Sequence, residues 1–290
     1  MLTGSTGFIG KNLLAGLSGD YDIYAPARQQ LNMLDADAVL QCLRDGKYDV
    51  VIHSATQNST RNSKDPPDVF LERTLRMFFN LLRSEEYFSR MLYFGSGAEF
   101  DKSRDIKTVK EEGFGKRIPQ DPYGLAKYIM AETAKRREKI YNLRMFGCYG
   151  PHEDWEIRFI SNAICKALYN VPITMRQNVF FDYMYVMDLV PVVRWFIDGN
   201  PKYHDYNVCS GKRTDLIYIV SCIEQAAGKK LDVSIAENGL NREYTGDNSR
   251  LAEEMTGFHI TPIEEGVKLM YSWYSDRIDT IQREKLLADK

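Results

Sequence analysis

Leu2-Thr3-Gly4-Ser5-Thr6-Gly7-Phe8-Ile9-Gly10 is the stretch on which the fold turns. Its glycines follow a GxxGxxG spacing, directly after the short run Met1-Leu2-Thr3 and directly before an apolar pair. Glycine allows a tight turn and a close approach of backbone to ligand. A helix starting near Phe8 would offer free N–H groups and its positive dipole end to a pyrophosphate. Gly10 would let that helix pack against the strand. Gly4, Thr6, Gly7, Phe8, Ile9 and Gly10 are therefore candidate cofactor-binding residues. A plain glycine-rich turn before a helix has the same spacing; the position at a strand end favours the phosphate loop. The strand itself is stubby for the centre of a doubly wound sheet, so either it is short or further residues precede it.

Outward from the loop, short apolar runs alternate with helical patterns. Tyr21 to Ala25 reads as a strand, Asp35 to Arg44 as a helix, and Asp49 to His53 as a buried strand. Val69 to Leu82 has helical periodicity, Arg90 to Phe94 is strand-like, Asp121 to Arg137 is a strong helix, and Ile140 to Phe146 is a strand. Apolar strands alternating with helices imply βαβ units around a parallel sheet. The fold class is α/β, a doubly wound parallel sheet with a smaller C-terminal lobe. After Gly150-Pro151 the pattern loosens: Ile157 to Leu168, Val179 to Tyr185 and Asp205 to Val208 alternate with loops before a helix over Pro262 to Arg277. Residues 1–150 read as the dinucleotide-binding core. Residues 151–290 read as mainly substrate-binding, interleaved with elements that complete the sheet.

Composition narrows the class. Hydrophobic residues are 44% and charged residues 27%, an ordinary globular balance. A formal net charge of -2 gives no electrostatic reason to expect nucleic acid or an acidic membrane as partner. No apolar run is long enough to span a bilayer, and Met1 to Gly10 lacks the basic and apolar regions of a secretory leader. Cys42, Cys148, Cys165, Cys209 and Cys222 are odd in number and dispersed, which reads as reduced thiols with no disulfide frame and no metal site. The expected location is cytoplasmic.

Two segments carry the chemistry. In Gln120-Asp121-Pro122-Tyr123-Gly124-Leu125-Ala126-Lys127, Asp121 suits a helix N-cap and Pro122 the first helical position. Tyr123 and Lys127, four apart, share a helix face. A neighbouring ammonium favours phenolate and would lower the Tyr123 pKa, making it a usable acid/base. Ser96 ends the run Leu92-Tyr93-Phe94-Gly95-Ser96, and ligands of such sheets bind beyond the carboxyl ends of strands. Its hydroxyl can hold a substrate oxygen while Tyr123 exchanges the proton. For the cofactor, an NAD site usually ends the second strand with an acid. Here Ala25-Pro26-Ala27-Arg28 supplies Arg28, which can meet a 2′-phosphate, with Lys11 a second nearby cation. Asp35 could lie near the adenine or serve as a plain N-cap.

Taken jointly, Thr3 to Gly10, the Ser96 strand end, Tyr123/Lys127 and Arg144-Met145-Phe146-Gly147-Cys148-Tyr149-Gly150-Pro151 resemble the extended short-chain dehydrogenase/reductases, the NAD-dependent epimerase/dehydratase family. The resemblance spans nearly the whole chain. It implies a seven-stranded Rossmann sheet, a nucleotide-sugar substrate, a homodimer, and a Lys127 that also binds the nicotinamide ribose. It places Ser54 and Ala55 beneath the cofactor. Arg28 to Asp35 looks like the GDP-fucose synthase and 4-ketoreductase branch, which implies NADP, with NAD as the other option. Departures concern the substrate. Gly97-Ala98 stands where dehydratases carry an Asp-Glu pair, and Gly147 where the family has Asn. Phe181 stands where an Arg holds the diphosphate, leaving Arg158, Arg176 or Arg242 to supply that charge. Ala98 and the neighbourhood of Arg158 also replace the Cys and His that serve C3/C5 epimerisation in GDP-fucose synthase. The expected activity is NAD(P)H-dependent reduction of a nucleotide-linked 4-keto sugar. The rival readings are a 4-epimerase with tightly held NAD and a non-catalytic dinucleotide sensor.

Overall fold

A computed structural model describes residues 1–57 and 66–287. In chain order the first half forms β1 (Leu2–Thr3), α1 (Phe8–Leu17), α2 (Ala36–Gly46), β2 (Val50–His53), α3 (Pro67–Leu82), β3 (Arg90–Ser96), β4 (Ile106–Val109), α4 (Pro122–Ala134) and β5 (Ile140–Met145). The second half adds β6 (Gly147–Tyr149), α5 (Phe159–Leu168), β7 (Ile173–Met175), β8 (Phe180–Phe181), β9 (Tyr183–Tyr185), α6 (Leu189–Asp198), β10 (Asp205–Val208) and β11 (Thr214–Asp215). It closes with α7 (Leu216–Ala227), β12 (Val233–Ile235), β13 (Tyr244–Gly246), α8 (Ser249–Glu254), α9 (Ile263–Ser275) and a short α10 (Arg283–Leu286).

The main sheet is five-stranded and parallel, in the order β1-β2-β3-β5-β10. Both faces are covered, which is why its strands read as continuous apolar runs. Leu92, Phe94 and Leu143 pack against Leu13 and Leu17 of α1 and Val193 and Phe196 of α6. On the other face, Val51, Met91 and Tyr93 meet Leu43 of α2, Phe78 and Leu81 of α3, and Met130 of α4. Two expectations are corrected. Tyr21 to Ala25 is not a strand: it runs beside β1, and Leu2 N donates to Tyr24 O at 2.8 Å. One such hydrogen bond does not make a ladder. The described sheet has five strands where the family pattern implied seven, and Tyr21 to Ala25 accounts for one of the two.

The sheet and the smaller lobe exchange elements. β10 returns to pair with β5. β4, from the first half, joins β13 in a second sheet of order β11-β8-β13-β4. A separate core of α5, α7 and α9, with Ile164, Ile219, Ile223 and Met270 among its buried residues, supports these strands. The carboxyl ends of β1, β2, β3 and β5 face this lobe across a cleft of about 980 Å³.

Candidate active site

The glycine loop forms one end of the cleft. Gly4 has φ +69, and a Cβ there would sit 2.6 Å from Ala55 N. A Cβ on Gly10 would collide with Gly4 O, so the helix can approach the strand only because both positions are glycine. Gly7 is the N-cap of α1; it has no side-chain cap, and the first turn carries no acid. The orphan N–H groups of that turn are thus left for an anion, as a pyrophosphate site requires. Thr3 Oγ1 accepts from Ala55 N at 3.2 Å and shares a 2.9 Å hydrogen bond with His53 Nδ1. This ties the ends of β1 and β2 together. Burial lowers the His53 pKa to about 3, so it stays neutral. Thr6, Gly7, Phe8, Ile9, Arg28, Ser54 and Ala55 all line the cleft.

Asp35 does not line it. Its Oδ1 accepts from Ala38 N at 3.0 Å, the plain capping role. Gly10 and Lys11 also lie outside the cleft wall, Gly10 because it packs on the loop from behind. The acids among the described lining residues are Glu153, Asp154 and Glu243, and none of them belongs to the segment that carries Arg28.

Ser96, Tyr123 and Lys127 come together at the middle of the cleft. Asp121 caps α4 through Gly124 N at 2.9 Å, and Pro122 occupies the first helical position. That cap points Tyr123 and Lys127 toward the end of β3. Lys127 is 5% exposed and donates to Phe94 O at 2.7 Å; its Nζ lies 6.0 Å from the centre of the Tyr123 ring. Burial lowers the Lys127 pKa to about 8 against the opposing pull of Glu99. The expected lowering of Tyr123 is not found. Burial pushes its pKa up, outweighing the Ser96 hydroxyl and Arg158. A half-buried phenol of this kind stays protonated at neutral pH and is a proton donor. Lys102, in an ion pair with Asp121 at 3.6 Å, places a second ammonium 5.4 Å from the same ring.

A buried polar network supports Ser96. Glu99 Oε1 accepts from Ser96 N at 2.9 Å, and Glu99 Oε2 accepts from Arg144 Nε at 2.6 Å. Asn142 Nδ2 donates to Glu99 at 3.1 Å, and Arg144 reaches Asp205 and Asn207 of β10 at 3.3 and 3.2 Å. Glu99 also closes a capping box with Ser96 over the turn Gly97–Phe100. The S-x-x-E spacing was the available signal for this.

At the other end, Arg158, Arg242, Phe181, Tyr183, Glu153 and Tyr244 line the cleft. Arg176 does not: it is exposed and paired with Glu237 at 2.7 Å, because β7 turns it to the outer surface. His152 is exposed and packs against Trp273. Its neighbour Glu153 is buried, hydrogen-bonded by Ser161, and raised by burial to about 8. Tyr244, unremarkable in the sequence, lies in the cleft with its Oη 3.2 Å from Ser96 Oγ.

Among the described residues no group of His, Cys, Asp and Glu is arranged to hold a metal ion, and no helix is long and apolar enough to cross a membrane. An uncharacterized protein of Methanocaldococcus jannaschii is 22% identical over 325 residues, covering 98% of each chain. The fold is shared with UDP-glucose 4-epimerase of Thermotoga maritima, solved with UDP-glucose (TM-score 0.82, 20% identity, 96% of this chain and 98% of that one). It is also shared with the GDP-mannoheptose C4 reductase of Campylobacter jejuni, solved with NADP (TM-score 0.80, 16% identity, 94% and 97%). The model of the NAD dependent epimerase/dehydratase family matches residues 1–209, and the chain belongs to that family of NAD(P)-dependent enzymes.

Proposed function

We propose that this protein is an NADPH-dependent reductase of a nucleotide-activated 4-keto sugar, with residues 1–150 mainly holding the cofactor and residues 151–290 mainly the sugar nucleotide. The observation that carries the choice of reductase over epimerase is Arg28 in the cleft wall, with no acid among the described lining residues of its own segment, Pro26 to Leu34. A guanidinium there suits a 2′-phosphate, and a carboxylate would repel one. NADPH is the usual partner of a net reduction, whereas a 4-epimerase recycles its own bound cofactor. The C. jejuni C4 reductase, solved with NADP, is in keeping with this reading, and the T. maritima epimerase is the alternative it must beat.

The residues present fit a dinucleotide: the glycine loop, the uncapped first turn of α1, and a strand end at Ser54 and Ala55 that a side chain on Gly4 would close off. The bound nicotinamide would supply the hydride. Ser96 donates a hydrogen bond to the sugar carbonyl oxygen and fixes it near Tyr123. Tyr123, held protonated by its burial, gives its proton to that oxygen as negative charge develops there. Lys127, anchored on Phe94 O, keeps a positive charge under the phenol and stabilises the phenolate left behind. Arg158 and Arg242 meet the diphosphate, the role that Phe181 cannot fill.

The test is NADPH consumption with GDP-, dTDP- and UDP-linked 4-keto-6-deoxyhexoses. The expected result is turnover of at least one, with NADPH preferred to NADH. Protein that purifies with bound NAD and interconverts UDP-glucose and UDP-galactose, with no net NADPH oxidation, would overturn the proposal in favour of the epimerase.

A further inference from the structure

Three hydroxyls converge at the centre of the cleft, and only two of them belong to the Ser/Tyr/Lys set. The third is Tyr244 of β13. Its backbone is locked between β4 and β8, with Tyr244 opposite Ile106 and opposite Phe181. Its ring is held between Phe146 and Phe181, at 5.2 and 5.3 Å between centroids. Its Oη lies 3.2 Å from Ser96 Oγ, and a Cβ on Gly97 would come within 2.8 Å of it.

The hydrogens at Ser96 can be counted. A serine hydroxyl has one O–H and two acceptor positions. Ala98 N–H, at 3.2 Å, fills one acceptor position. If Tyr244 donates, it fills the second, and the Ser96 hydrogen is left to point into the cleft on the side of Tyr123. If Ser96 donated instead, the Tyr244 hydrogen would find no side-chain acceptor among the described residues, and the carbonyl would lose its donor. Burial holds Tyr244 protonated, so it remains a donor.

We infer that Tyr244 is a positioning residue: it donates to Ser96 Oγ and thereby aims the Ser96 proton at the sugar oxygen. This rests on the Ser96/Tyr123/Lys127 reading but not on the direction of the redox reaction, since reductase and epimerase hold the same carbonyl.

Tyr244→Phe keeps the ring sandwich and removes only the hydroxyl. Losing an aimed donor costs roughly 10²–10³ in kcat, and losing the group that aims it should cost about tenfold. The assay is NADPH oxidation with the 4-keto-6-deoxyhexose nucleotides, or UDP-glucose interconversion if that is what the wild type performs. Expected are a kcat down about tenfold, a sugar KM within about twofold, and no further loss when Tyr244→Phe is added to Ser96→Ala, because the effect runs through Ser96. A loss confined to KM, or one of equal size in the Ser96→Ala background, overturns the inference. If no probe turns over, the functional reading fails while this one is still decided. A neutron diffraction map of the deuterated protein should show the Tyr244 deuteron on the line to Ser96 Oγ, and a Ser96 deuteron pointing to Tyr244 refutes it.

Discussion

Glu99→Ala removes a buried side chain that does not line the cleft, yet it should damage both stability and catalysis. Glu99 and Arg144 are 0% and 1% exposed, and their 2.6 Å bond is the tightest link in the network under Ser96. Breaking a buried pair from one side typically costs about 3–5 kcal/mol, because the remaining charge is stranded. Arg144 would keep Asp205 at 3.3 Å, which holds the loss near the lower end. The Ser96 N–H would lose its acceptor, adding about 1–3 kcal/mol for an unmade buried hydrogen bond. A total of about 4–6 kcal/mol follows. Unfolding entropy near 2.1 cal/mol/K per residue gives roughly 0.6 kcal/mol/K over 290 residues, so Tm should fall by about 7–10 °C. Calorimetry of the protein without added ligand reads this directly. In Glu99→Leu/Arg144→Met, with no charge left to strand, most of the loss should return while kcat stays low, since Ser96 still lacks its anchor. A loss under about 1 kcal/mol, the size of an exposed ion pair, would refute the reasoning. So would a double variant less stable than Glu99→Ala.

Tyr123→Phe should lower kcat by roughly 10²–10⁴-fold with NADPH affinity and Tm nearly unchanged; retention of more than about a tenth of wild-type kcat would remove Tyr123 from its role. Arg28→Asp should weaken NADPH far more than NADH in fluorescence titrations, and equal loss for both would contradict the 2′-phosphate reading. With Lys127 lowered to about 8, its ammonium is populated below that pH and lost above it, so the reduction rate should hold steady below about pH 8 and decline above it; an increase through that range has the wrong sign. In D₂O the product should carry no enzyme-dependent deuterium at C3 or C5, because Ala98 cannot move a proton and His152 lies outside the cleft. Deuterium there would point to an epimerase–reductase, with the cleft-lining Glu153 as the first residue to test.

The sequence by itself determined the parts that local chemistry controls. Glycine spacing set the phosphate loop, because a Cβ on Gly4 would press on Ala55 and one on Gly10 would press on Gly4. Asp121 and Pro122 set the start of α4, and the 3.6-residue period then placed Tyr123 and Lys127 together. Apolar runs at β2, β3 and β5 announced a sheet covered on both faces. Tertiary structure alone decided which of several chemically equal residues reach the site. Arg158 and Arg242 line the cleft while Arg176 faces outward, a difference that no side chain encodes and that follows from strand orientation. Tyr244 meets Ser96 across 148 positions of chain, and Arg144 meets Asp205 across 61, because β13 and β10 happen to close against β4 and β5. The protonation of Tyr123 likewise does not follow from spacing. A neighbouring ammonium argues for a lower pKa, but burial argues the other way, and how far a phenol is buried is settled only when the lobes pack around it.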